Sequence, residues 1–146
     1  MSIVKSAWGA GRKQAPVSSE SGTVKCERYT YTIPAGLNLA IGDIIELAVL
    51  PAYHTVVDAT VVADAVGTST FDVGIMSGTL GSNDQARTCG NELFAAAAGG
   101  AVTRMSKPVG FRIVPIEGDR AIGAKVLVAG VTGAAQVFDL LLYTKQ

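Results

Sequence analysis

The stretch LAVLPAYHTVVDATVVADAVGTSTFDVGIM, Leu47 to Met76, decides the fold. Two apolar runs rich in β-branched residues are joined by a Gly67-Thr68-Ser69 turn. In the first run Val57, Ala59, Val61 and Ala63 fall on one side, with Asp58, Thr60 and Asp64 on the other. In the second, Phe71, Val73 and Ile75 alternate with Asp72 and Gly74. Alternation with a period of two over this length signals strands that each lay one face on a core. The stretch holds no catalytic constellation.

Working outward, Thr23 to Ile33 reads as a strand with Tyr29, Tyr31 and Ile33 on one face, ended by Pro34-Ala35-Gly36. Gly42-Asp43 opens a further strand, Ile44 to Leu50, which stops at Pro51. Downstream, Asn91 can cap a helix of about two turns running through the alanines to Gly99-Gly100. Such a helix depends on packing through Leu93, Phe94 and Ala97. The whole connection from Ser77 to Lys107 is long, which makes it a candidate contact surface. Pro108 to Ile116 resumes strand character, with Val109, Phe111 and Ile113 inward and Glu117-Gly118-Asp119-Arg120 as a hairpin turn. Ile122 to Val131 is the next strand, Thr132-Gly133-Ala134 turns, and Gln136 to Thr144 closes the chain.

In that last strand Val137, Leu141 and Tyr143 alternate with Phe138, Leu140 and Leu142, so both faces are apolar. It is therefore central, or covered on its outer side as well. Roughly seven or eight strands without a βαβ rhythm predict an all-β fold. The expected architecture is an antiparallel β-sandwich, jelly-roll-like, with one short helix in a long loop. Residues 23–146 form the single sandwich domain.

Residues 1–22 read as an extended N-terminal arm, with glycines, Pro16 and a serine cluster but no periodicity. Ile3, Val4 and Trp8 are nevertheless costly to leave in water. Trp8 either packs back on its own domain or anchors a contact with a neighbour. Lys5, Arg12 and Lys13 make the arm basic, which suits docking on an acidic protein surface. The candidate interface is thus Ile3, Val4, Lys5, Trp8, Arg12 and Lys13, joined by Phe138, Leu140 and Leu142 on the expected outer face of the last strand.

Composition narrows the task. The 146 residues are 49% hydrophobic and only 16% charged. Either part of the surface is covered by something, or the many Ala and Gly inflate the apolar count. Twelve basic residues balance twelve acidic ones, which argues against phosphate neutralisation and so against a nucleic-acid partner. No uninterrupted apolar run is long enough for a bilayer span, and the N-terminus lacks a secretion signal, so synthesis in the cytoplasm is expected.

Chemistry is equally sparse. His54 is the only histidine, and Cys26 and Cys89 form no CxxC unit, so zinc lacks ligands and each thiol is expected free and buried. Asp43 and Asp58 near His54 suggest a general base, yet neither Ser69 nor Cys89 sits in a nucleophile elbow. Asp72, Asn83 and Asp84 lack the spacing of a calcium loop, and Gly9 to Arg12 lacks the rest of a phosphate loop. No catalytic residue, cofactor or metal is expected. Tyr29, Tyr31 and Tyr53 could stack on sugars, which leaves a glycan-binding fibre or adhesin module as the alternative.

Three patterns carry a family likeness: LxxGDxIELxxLPA at Leu39 to Ala52, VxDAxVxxD at Val56 to Asp64, and xTFDVGIMSG ending at Gly78. With Gly42, Asp43, Ile44, Leu47, Pro51, Ala52, Asp58, Phe71, Asp72, Val73 and Gly74 as matching residues, the chain resembles the head decoration, or cement, proteins of tailed phages. The resemblance implies a β-sandwich bound as a homodimer or homotrimer to the major capsid protein, on the capsid exterior of the virion. It implies a function of area, with surface buried at the seams of the shell and weak contacts added through many copies.

Overall fold

The structure, a computed structural model, describes residues 1–13, 22–64, 69–131 and 134–146. Two sheets pack face to face. The front sheet has the order β1-β4-β9-β6-β7, where β1 is Ile3–Lys5, β4 Ile44–Leu50, β6 Thr70–Ile75, β7 Phe94–Ala98 and β9 Arg120–Val128. The back sheet has the order β2-β11-β5-β8, from β2 Lys25–Ile33, β11 Gln136–Lys145, β5 Thr55–Ala63 and β8 Val102–Arg104. A small ribbon pairs β3, Asn38–Leu39, with β10, Gly130–Val131. All pairings are antiparallel except β1 with β4. The chain changes sheet at almost every connection, the weave of a jelly-roll-like sandwich.

The core lies between the sheets. Phe71 of the front sheet meets Phe138 of the back sheet edge to face, ring centroids 4.9 Å apart. Ile33, Ile45, Leu47, Val61, Val73, Leu140 and Leu142 fill the surrounding layer. The two runs that decide the fold, β5 and β6, belong to opposite sheets rather than to one hairpin. Their turn at Gly67 and Thr68 lies outside the described residues. In β5 the expected phase shifts: Asp58 opposes Tyr143 and Val56 opposes Thr144, so Val57 is the extra residue of a bulge. The inward set is therefore Val56, Ala59, Val61 and Ala63, because a bulge moves one step of the alternation to the other face.

Two local expectations fail. Phe94–Ala98 is not a helix but the edge strand β7, paired with β6. Ala96 takes a positive φ of 53° and donates its N–H to Asp72 Oδ1 at 3.0 Å. The free edge of β6 satisfies the alanine backbone through a ladder, and a two-turn helix standing alone is too short to compete. The only helical turn among the described residues is instead a 3₁₀ turn at Gly110–Arg112, inside the expected strand Pro108 to Ile116. Pro108 and Pro115 each lack a backbone donor, which removes that segment from a ladder. Ile113 points into the core, but Val109 and Phe111 face solvent.

The first thirteen residues, expected as the start of an extended arm, extend the front sheet. Ile3, Val4 and Lys5 oppose Ile44, Ile45 and Glu46. Trp8 is buried, packed edge to face on Tyr29 with ring centroids 4.8 Å apart, and Lys13 lies 4.6 Å over its ring. A Trp with an apolar cleft within reach of its own domain gains more by filling it than by waiting for a partner. Pro16 and the serine cluster lie outside the described residues.

Candidate interaction surfaces

Surfaces left for a partner are defined by what the chain has already covered. The front sheet has an outer face, and residues 76–93 lie across it. Ile44, Met76, Cys89 and Ala121 form a second small core there, with Ile3 and Leu80 packed against it. Gly74 is seated so tightly under this cover that a Cβ would lie 2.1 Å from Glu92 Oε2 and 2.6 Å from the Gly90 carbonyl carbon. Every residue of β4 is consequently buried. Much of the apolar excess in the composition is absorbed inside the chain.

The cover is fastened by a buried ion pair. Arg87 Nη1 lies 3.0 Å from Glu46 Oε2, with the two side chains 1% and 0% exposed. Arg87 Nη2 donates to Glu46 Oε1 at 3.2 Å, and Gly81 N donates to the same oxygen at 2.9 Å. Arg87 Nε also donates to the Ser77 carbonyl at 2.8 Å and Nη1 to the Ser82 carbonyl at 2.9 Å. The Lys5 ammonium donates to the Gly81 carbonyl, so the N-terminal strand, β4 and the cover meet at one point. A shallow cleft of about 200 Å³ remains between Trp8, Gly9 and Leu80. Sequence reading missed this hub, although it carries a signal. A Glu inside the run IIELAVL must be paired if it is buried, and Arg87 is the only basic residue between Ser77 and Thr103.

The expected interface residues scatter. Arg12 and Lys13 are exposed; Ile3, Val4 and Lys5 are half-buried in the edge strand; Trp8 is in the core. Phe138, Leu140 and Leu142 are the inward face of β11, with exposures of 0–1%. The assignment of faces in β11 is thus inverted, and Val137, Asp139, Leu141 and Tyr143 line the outer face. Sequence could not choose between two apolar faces. There Arg28 lies 3.9 Å from Asp139 and Arg104 2.7 Å from Asp58. Both arginines are largely exposed, so these pairs add little stability.

The chemical candidates do not assemble. His54 is buried with Nδ1 2.9 Å from the Ala52 carbonyl. Asp58 is paired with Arg104. Asp43, at the opposite end of β4, accepts from Ser2 N at 2.7 Å and Ala40 N at 2.9 Å. Burial pushes the Asp43 carboxyl up, but these bonds together outweigh it and hold the group below its ordinary value. Asp84 caps its own turn through Ala86 N at 2.9 Å, and Asp72 is engaged by β7. Among the described residues no group of three or more His, Cys, Asp or Glu is placed to hold a metal ion. Both cysteines are free, but Cys26 is exposed rather than buried. Burial pushes the Cys89 thiol up to about 12. Tyr29 is in the core, Tyr31 packs against it and Tyr53 lies at one end of the sandwich, so no aromatic platform forms.

One end of the sandwich does expose apolar side chains. Tyr53, Val109, Phe111, Val114 and Ile116 are all open to solvent, Val114 at 71% and Tyr53 at 54%. The segment carrying them is pinned: Tyr53 N donates to the Ile116 carbonyl at 2.8 Å, Arg120 Nη2 to the Val114 carbonyl at 3.0 Å, and Ala52 N to Asp119 Oδ1 at 2.8 Å. Tyr53 is held at a φ of 61°, a conformation that a bulky side chain rarely adopts.

No protein-family model matches the sequence, and no curated protein matches it significantly. Solved structures do. A chain from the capsid of Ralstonia phage GP4 is 40% identical, with a TM-score of 0.90, over 99% of this chain and 97% of that one. A chain from the capsid asymmetric unit of cyanophage Pam1 shares the fold, with a TM-score of 0.57 at 20% identity over 92% of this chain and 94% of that one. The 40% identity with the GP4 chain, along nearly the whole of both, leaves one conclusion: this protein belongs to the family of phage capsid proteins represented by the Ralstonia phage GP4 chain.

Proposed function

We propose that the protein is a head decoration protein, which binds the outer surface of a phage shell as a homo-oligomer and cements the major capsid protein beneath it. The observation that carries this reading is a core completed by one chain. The sheets close on each other, and residues 76–93 close the outer face of the front sheet. A unit that needs no neighbour to fold is suited to joining a shell already built. Likeness along the whole chain to a protein of the GP4 capsid supplies the setting. Closed symmetry would match the copies to a symmetry axis of the shell, and repetition would make weak contacts hold. Of the expected contact residues, Arg12 and Lys13 are exposed, Lys13 over the Trp8 ring, where their charges can meet acidic groups on a neighbour.

The test is electron microscopy of shells produced by the phage with and without this coding sequence, together with the mass of the purified protein by light scattering. Extra density outside an otherwise intact shell, and an oligomer in solution, are expected. Failure of any shell to form without the protein, or density on the inner surface, would overturn the proposal.

A further inference from the structure

Resting on that reading, we infer that the apolar end formed by Tyr53, Val109, Phe111, Val114 and Ile116 is the surface that seats each copy on the shell protein. Three observations converge. Val109, Phe111, Val114 and Ile116 lie on the segment between β8 and β9 and Tyr53 on the turn bonded to it, neither of which forms a strand, so they are not exposed as the idle outer face of a sheet. Their backbone is fixed by bonds from Tyr53, Arg120 and Ala52 and by Gly110, whose missing Cβ leaves room for Met105 and the Glu92 carbonyl. A pinned segment presents its anchors without an ordering cost on binding, and aromatic anchors in such settings dominate interface energies. The positive φ of Tyr53 is a strained conformation kept at this end, where strain commonly serves recognition.

Area selects the occupant. The five side chains open an apolar surface on the order of 400–500 Å², the size of a functional patch on a monomer. A stable pairwise interface covers about 800 Å² on each partner. A second copy docked here alone would be held weakly. A repeating lattice is different, because several copies of the patch, linked in one oligomer, engage it together and their modest affinities multiply. The surface they meet is therefore an apolar depression repeated on the shell protein. Arg112, exposed between Phe111 and Ile113, adds a guanidinium for a carboxylate at the rim of that depression.

The double substitution Phe111→Ser with Val114→Ser tests this on the full chain, added to shells made by the phage lacking the coding sequence. Unchanged melting and oligomer mass are expected, with attachment roughly ten- to hundredfold weaker. If wild-type protein fails to attach, the decoration reading itself falls. If wild type and variant attach equally, only the assignment of this surface falls. A variant that attaches normally but changes oligomeric mass would make the patch a contact between copies, which also overturns the inference. Should the double variant misfold, Ile116→Thr and Val114→Ser, each alone at an exposed position, repeat the comparison.

Discussion

Two irregular segments follow one another in the chain and treat their hydrophobic residues in opposite ways. Residues 76–93 turn Met76, Cys89 and Leu93 inward and bury an Arg–Glu pair beneath them. Residues 105–119 anchor only Met105, Gly110 and Ile113 and leave Val109, Phe111, Val114 and Ile116 in water. Both are fastened by hydrogen bonds, so the difference is not one of order. The first segment completes the fold. The second is equally fixed but leaves four large apolar side chains in water, the ones that the proposed seat on the shell would cover.

The sharpest way to break the comparison is to unpair the cover. Arg87→Met should leave Glu46 buried without a counter-ion and cost about 3–5 kcal/mol in urea unfolding. A loss below about 1 kcal/mol would show that the pair is not buried as described. Gly74→Ala comes next. Its Cβ would collide with the Gly90 backbone as well as with Glu92, so a cost of about 1–3 kcal/mol is expected. A neutral result would mean that the cover lies looser than the second core requires.

The covered side also has a smaller, pH-dependent fastening at its edge. Asp43 holds the amide of Ser2, and its carboxyl lies below the ordinary value of 3.8. The sign follows from linkage: its stabilisation is complete above that value and disappears as pH falls through the lower folded-state pKa. Amide exchange at Ser2 and Ala40 should therefore accelerate in that acid window, beyond the intrinsic pH dependence of exchange. In Asp43→Asn the extra acceleration should be absent. Equal profiles in both proteins would remove Asp43 from the account.

How far the sequence discloses this division depends on the signal. Strands bounded by turn residues are legible: β2, β4, β6 and β11 fall close to where Tyr29, Ile45, Phe71 and Leu140 place them. Local propensity misled where a sheet edge was available, since the alanines after Phe94 favour helix yet complete a ladder with β6. Where both faces of a strand are apolar, as in β11, pattern alone cannot say which is inside. The length of the connection after Ser77 marks it as a candidate contact surface, but length does not distinguish a cover from a docking site. At the exposed end the alternation of Val109, Phe111 and Ile113 predicts a strand; Pro108 and Pro115, which bracket them, are the better guide.

The smallest expected effect is the one that separates the two segments most cleanly. Val114→Ser removes apolar surface that is already in water, so the folded chain loses almost no burial. Its stability should stay within about 0.5 kcal/mol of wild type, as for surface positions without a structural partner. Thermal unfolding of Val114→Ser beside Arg87→Met makes the contrast in one experiment. Similar losses in both would mean that residues 105–119 fold against their own domain more deeply than the exposure of Val114 allows. The unfinished surface would then be part of the core, and the two segments would differ in degree alone. Full stability in Val114→Ser instead leaves the hydrophobic end with no role in holding up its own chain, which is what a contact reserved for another protein requires.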